Sequence, residues 1–310
     1  MRKESLNFIY EHAKINANVV FIGSDLGHGI LQDFKTEMPN QFFMEGISES
    51  HIVSMAAGMA LTGSKVYIHT IAPFFVRRAF EHIALDVGFE NLDVTLLCSG
   101  GGLVYGPLGH THTMVDDFSI LSSVPNLKIY APADAPEAIA SLQRTYDDTG
   151  PAYIRLGKGN EPSITKQYLK KDKSYLQINK NENSFLIITT GIMLHSAIEI
   201  TNQLQNIDII HYSMITPFNL DNELVKVLNS KTHVFILEEH LNFGGLKSRV
   251  NEVIINHHLS EIQVFSFNLG NQYIDKYGRQ EDLFKDLSLD TESLIKNFKK
   301  ILSPKSSHEF

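Results

Sequence analysis

Four apolar runs in the first half of this chain are continuous rather than alternating, and they limit the folds open to it. Asn18-Val19-Val20-Phe21-Ile22-Gly23, Lys65-Val66-Tyr67-Ile68-His69, Val94-Thr95-Leu96-Leu97-Cys98 and Leu127-Lys128-Ile129-Tyr130 each read as a strand covered on both faces. Helical patterns run between them, from Val53 to Leu61 and from Phe75 to Gly88. Such strands, separated by helices, predict a parallel sheet with helices on either side. The stretch from Lys166 to Asn183 is polar, charged and without clear period, so it reads as a linker. A second unit follows. Its strands are Phe185 to Gly191, Asp208 to Tyr212 and Val234 to Glu239, with a helix from about Leu194 to Leu204. A closing helix spans Ser288 to Leu302, with Asp290 or Thr291 as its cap. The expected architecture is two doubly wound α/β domains with mainly parallel sheets, residues 1–165 and 184–310, joined by the linker 166–183.

A chain of 310 residues with 43% hydrophobic content can fill two cores. The net charge of -8 argues against nucleic acid or an anionic membrane as the main partner. The single cysteine, Cys98, cannot form an internal disulfide. The opening Met1-Arg2-Lys3-Glu4-Ser5-Leu6 leads into an amphipathic helix rather than a signal peptide, and no apolar run reaches the roughly 18 residues of a membrane span. A soluble cytoplasmic protein is expected.

One stretch places a carboxylate where it is costly. Phe42-Phe43-Met44-Glu45-Gly46-Ile47-Ser48-Glu49-Ser50-His51 runs into a small-residue helix containing Ala56, Ala57, Gly58 and Ala60. Small residues at helical spacing allow close packing, so Glu49 at the seam would sit in a tight, dry place and need a partner. The plain alternative is a helix start in which Ser48 caps and Glu49 meets the macrodipole. The small-residue face serves either subunit packing or packing within one domain.

This segment resembles the pyrimidine-binding domain of thiamine diphosphate enzymes of the transketolase type, and the likeness continues in order along the chain. Val19 to Gly27 is similar to that family's first strand and acidic loop, and Ala72 to Glu81 to the helix carrying its aromatic platform. Gly106-Pro107-Leu108-Gly109-His110-Thr111-His112 resembles its active-site Thr-His loop, and Pro151 to Gly159 the strand and turn that close the domain. Later, Ile215-Thr216-Pro217-Phe218-Asn219 and Glu238-Glu239-His240 through Gly244-Gly245 are similar to elements of the C-terminal domain of transketolases and deoxyxylulose-phosphate synthases. The Gly-Asp-Gly stretch and following Asn with which such enzymes hold Mg²⁺ and the diphosphate have no counterpart; Gly23-Ser24-Asp25-Leu26-Gly27 is the nearest. The resemblance therefore implies one subunit of a split enzyme, two copies joining two copies of a companion N-terminal subunit that supplies the Mg²⁺ site.

The resemblance also implies roles. Glu49 would bond the far ring nitrogen of the cofactor's aminopyrimidine and favour the tautomer that can take a proton, an apolar pocket keeping the carboxyl protonated or sharing a proton. Phe75 would stack on that ring, or else pack in the core. Arg78 lies on the same helix and joins the cofactor set. Asp25, on the loop after the first strand, would approach the cofactor's thiazolium or the substrate, or cap a helix. His110 and His112 could bond a sugar hydroxyl or shuttle a proton, with Asp116 and Asp117 orienting them; no Cys or carboxylate stands at ligand spacing to suggest a metal site. His51 is expected as a structural partner beside Glu49. Arg155 and Lys158 are either phosphate ligands or solvated surface. Lys158 stands where relatives carry Arg, and Leu108 where they often carry Asp, which puts phosphorylated pentoses in doubt and suggests a different ketose. Transfer of a two-carbon ketol unit between sugars is the leading expectation. The alternatives are a deoxyxylulose-phosphate-synthase-like subunit, a 2-oxo acid dehydrogenase β-like subunit and a non-catalytic interaction subunit.

Overall fold

The computed structural model describes residues 1–24, 31–157, 159–170, 175–178, 183–217 and 222–303. The apolar runs of the first half form β1 (Val19–Gly23), β2 (Phe42–Met44), β3 (Lys65–Ile71), β4 (Val94–Ser99), β5 (Lys128–Tyr130) and β6 (Ala152–Leu156), parallel neighbours in the order β5-β6-β4-β3-β1-β2. Their continuous apolar character has a direct cause, since successive side chains enter opposite layers. Val20, Ile22, Val66 and Ile68 pack with Ile52, Val53 and Ala56 of the helix Glu49–Leu61. Val19, Phe21 and Tyr67 pack on the other side with Leu6, Ile9 and Leu142, from the helices Arg2–Ile15 and Ala135–Asp147.

The second half builds β7 (Tyr175–Ile178), β8 (Phe185–Thr189), β9 (Ile207–Tyr212), β10 (Met214–Thr216), β11 (His233–Leu237) and β12 (Gln263–Phe267). Its sheet has the order β12-β11-β8-β9-β7, parallel except for β7, which runs antiparallel to β9 at the edge. The expected linker thus contributes a strand; Tyr175, Leu176 and Ile178 are buried there, and their short apolar pattern is hidden among charged neighbours. β10 returns to the first sheet and pairs antiparallel with β5, so the halves share backbone hydrogen bonds. They also share a core, in which Leu186, Ile188, Ile210 and Ile236 join the same cluster as Val66 and Leu96. The closing helix is Thr291–Leu302, and Asp290 caps it by accepting from the Ser293 N–H at 3.1 Å. Among the described residues no helix is long and apolar enough to cross a membrane.

The helix expected from Phe75 to Gly88 is interrupted. An α-helix covers Ala72–Arg78, with Pro73 in its first turn, and leaves helical geometry at Ala79 (φ -102, ψ 15). A short turn Phe80–His82 and a π-helical stretch Ile83–Phe89 follow. Arg77 and Arg78 form the last turn of the first helix.

Arg155 lies in β6 between the two halves and is buried. All three of its nitrogens donate within the protein. Nε and Nη2 go to the two carboxylate oxygens of Asp117, the former at 2.8 Å, while Nη1 reaches the Glu239 carbonyl at 2.9 Å and Nη2 that of Met114 at 3.2 Å. The substrate and solvated-surface expectations for Arg155 are both corrected by this burial. Tyr153 donates to Asp117 at 2.7 Å, and the Phe118 ring lies 4.1 Å from the guanidinium and stacks on His240 at 4.8 Å. Burial on its own would raise the Asp117 carboxyl, but Arg155 outweighs it and holds the group low.

The Glu-Glu-His stretch extends this junction. Glu239 accepts from the Leu103 N–H at 2.8 Å and from Gln280 at 2.6 Å. Gly102 (φ +66) is required beside it, because a Cβ there would lie 2.1 Å from the Glu239 carboxylate. Glu238 caps the helix Leu246–Asn256, accepting from the Leu246 N–H at 2.7 Å and the Lys247 N–H at 3.2 Å. Burial pushes its carboxyl up to about 7. A folded-state value raised above the ordinary 4.5 means that the fold holds a proton which the unfolded chain releases between those pH values. This stabilising contribution is complete below about pH 4.5 and is lost as pH rises through 7, by on the order of 3 kcal/mol. Thermal unfolding of wild type and Glu238→Gln across pH 4.5–8 should therefore show the variant gaining relative stability as pH rises, then levelling off. A difference independent of pH would contradict this reading.

Candidate active site

The helix Glu49–Leu61 begins after Gly46, whose φ of +73 turns the chain out of β2. Ser48 stands at the cap position, yet its hydroxyl donates back to the Glu45 carbonyl at 3.2 Å and caps nothing. Glu49 is 2% exposed, and among the described residues its partner is Arg78, whose Nη1 lies 2.6 Å from Oε2. The expected apolar pocket is thus an ion pair between a buried carboxylate and a half-exposed guanidinium. Of the plain alternative, the Ser48 cap is corrected, while Glu49 does stand in the first turn of the helix.

One face of the helix Ala72–Arg78 builds the rest. Positions 74, 77 and 78 are three and four residues apart and point outward together, while Phe75 and Val76 point into the core. Phe75 is fully buried, so the expectation that it stacks on a bound ring is corrected in favour of core packing. The half-buried aromatic is Phe74. The Arg78 guanidinium lies 4.9 Å over its ring, and His112 meets the same ring edge-on at 4.9 Å. A continuous row therefore joins Glu49, Arg78, Phe74 and His112. The His112 Nδ1 lies 3.0 Å from the Thr111 hydroxyl, and neither aspartate orients it.

The loop that carries the histidines is clamped by the second half of the chain. Gly109 has φ +79, and a Cβ on it would lie 2.5 Å from the Tyr277 ring; one on Gly106 would meet Leu283 at 2.4 Å. His110 is exposed and lies 6.4 Å from the ring of Tyr273. It borders a cavity of about 840 Å³ at the junction of the two halves, together with Arg77 and Asp116, which pair at 2.6 Å. Asp117 turns inward to Arg155 instead. His51 is largely exposed, 3.8 Å from Glu45, and is not a partner of Glu49. Asp25 and Lys158 lie outside the described residues. Among the described residues no group of three or more His, Cys, Asp or Glu side chains is placed to hold a metal ion. Sequence reasoning missed Phe74 and Arg77, and the helical spacing shared with Arg78 was the available signal.

Residues 1–163 match the transketolase pyrimidine-binding domain and residues 174–294 the transketolase C-terminal domain. The chain belongs to the transketolase family. It is 28% identical over 306 residues to a putative transketolase C-terminal section from Methanocaldococcus jannaschii, covering 96% of this chain and 94% of that one. It is 27% identical over 304 residues to one of the subunits of the apulose-4-phosphate transketolase from Phocaeicola vulgatus, covering 95% of each. Identity is 34% over 271 residues with the 1-deoxy-D-xylulose-5-phosphate synthase of Blochmanniella pennsylvanica, covering 85% of this chain, which spans less than half (42%) of that enzyme. Among solved structures, a split-gene transketolase described as an inactive β4 tetramer superposes with a TM-score of 0.82 at 25% identity, 97% of each chain being covered.

The two phenylalanines separate core from site. Phe75→Ala should cost about 3–5 kcal/mol in denaturant unfolding, as expected for a fully buried ring, and Phe74→Ala about 1 kcal/mol. Equal losses would mean that the two rings share one environment.

Proposed function

We propose that this chain is the pyrimidine-binding subunit of a split transketolase, which moves a two-carbon ketol unit between sugars once a companion chain supplies the diphosphate and Mg²⁺ site. The observation that carries the reading is the buried Glu49 carboxylate, set at a helix start against an open row of Arg78, Phe74 and His112. Coverage from end to end by relatives named as a transketolase C-terminal section and a transketolase subunit supports the companion. Two copies of each subunit remain our expectation for the assembly.

The residues fit thiamine diphosphate. A dry carboxylate suits the far ring nitrogen of an aminopyrimidine, and Phe74 offers a flat apolar face beside it. When bound, the cofactor supplies a carbon nucleophile able to take up and hand on a ketol unit. Glu49 favours the tautomer of the ring that can accept a proton. Arg78 neutralises Glu49 in the free chain, which limits the cost of its burial. His112 would bond a sugar hydroxyl and pass on its proton.

A second reading follows from the 34% identity to a deoxyxylulose-phosphate synthase. In it the donor is a 2-keto acid that loses carbon dioxide, and carbon dioxide release from pyruvate by the assembled enzyme separates the two. A non-catalytic subunit would tolerate loss of Glu49. In the complex reconstituted with its companion, Glu49→Gln should lower ketol transfer from a ketose donor by about 10²–10⁴-fold, with assembly by size-exclusion unchanged. Retained turnover would overturn the assignment.

A further inference from the structure

The cavity at the junction of the two halves lies beside the proposed catalytic row, and among the described residues His110 and Asp116 are the expected site residues that border it. Its outer wall comes from the C-terminal half, as the segment Asn271–Asp275. That wall stands on a fixed base. The Leu269 N–H bonds the His240 carbonyl at 2.9 Å, the Asn242 N–H bonds the Gly270 carbonyl at 2.9 Å, and the Gly270 N–H bonds Asn268 Oδ1 at 3.0 Å. The same stretch of chain includes Glu239, whose carbonyl takes the Arg155 Nη1 bond. The wall is therefore anchored at its base, at Leu269 and Gly270.

Its chemistry is selective. Tyr273 is 91% exposed, and its ring lies 6.4 Å from that of His110. Asn271 and Gln272 supply amide donors and acceptors, while Asp116 and Asp275 supply acceptors. Val115, Leu241 and Ile274 give an apolar lining. A flat ring with several amide and carboxylate groups suits a ligand that has an apolar C–H face and many hydroxyls. The charge is unsuited to a phosphate. Among the described lining residues the one guanidinium, Arg77, is already paired with Asp116 at 2.6 Å, and Asp275 adds a further negative charge.

We propose that Asn271, Gln272 and Tyr273 of the C-terminal half, with His110 and Arg77, form a subsite for the uncharged polyhydroxyl part of a sugar. This deepens the ketol-transfer reading and rests on it for the identity of the ligand class. The C-terminal half then selects substrate as well as clamping the histidine loop.

The test needs neither cofactor nor turnover, so its failure is distinguishable from failure of the ketol-transfer reading. Saturation-transfer difference NMR is recorded on the full chain, alone and with its companion, using D-ribose, D-xylose and D-fructose at millimolar concentration. Transfer to sugar C–H protons is expected for at least one of them, reduced about fivefold or more in both Tyr273→Ala and Gln272→Ala, and no stronger for D-ribose 5-phosphate than for D-ribose. No transfer from any of the three sugars, equal transfer in wild type and both variants, or a stronger signal from the phosphate ester would each overturn the subsite. Thiamine diphosphate binding by the Tyr273→Ala complex should equal wild type, and a loss there would place Tyr273 in the cofactor site instead.

Discussion

The burial of Asp117 against Arg155 is the constraint on which the rest of the molecule depends. Removing either partner would leave a charge deep in the protein, at a cost of about 3–5 kcal/mol, so the groups around the pair have little freedom to move. Arg155 reaches the Glu239 and Met114 carbonyls, Glu239 in turn holds Leu103, and Tyr153 closes on Asp117. Leu103 and Met114 flank the loop that carries His110 and His112. One ion pair thereby joins the last parallel strand of the first sheet, the histidine loop and the loop that follows β11. β10 and the shared core reinforce the same junction.

On that frame, the site follows from the short helix Ala72–Arg78. Its last turn carries Arg78 to Glu49 and Arg77 to Asp116, while Phe74 lies between the first pair and His112. Each exposed cation of this helix answers one carboxylate, so neither cation is left over to collect phosphate. The pairs differ in depth. Glu49 is sealed, whereas Asp116 borders open space. Buried charge is expensive to arrange, and a helix that delivers a compensating guanidinium to a dry carboxylate is a means of keeping that carboxylate in place until a ligand arrives.

Much of the fold was legible because parallel strands leave an unbroken apolar record; β1, β4 and β9 lie within a residue or two of where their runs predicted. The cap at Asp290 was equally legible, being a local contact. Glu49 was legible as a carboxyl at a seam, but its partner was not, since Arg78 is 29 residues away. Phe74 and Phe75 were interchanged because adjacent positions on a helix differ by about 100°, and the break that sets the phase comes after them. Arg155 looked like a surface cation because its carboxylate lies 38 residues earlier in the chain. β7 and β10 are only four and three residues long, and their pairing depends on sheets formed elsewhere.

The central claim is that this chain holds one half of a cofactor site. Calorimetric titration of thiamine diphosphate with Mg²⁺, into this chain alone and into its mixture with the companion subunit, tests it most directly. The account predicts no binding alone and tight binding in the mixture. Tight binding to the isolated chain would contradict the division of the site between two subunits, and no binding in either sample would contradict the cofactor itself.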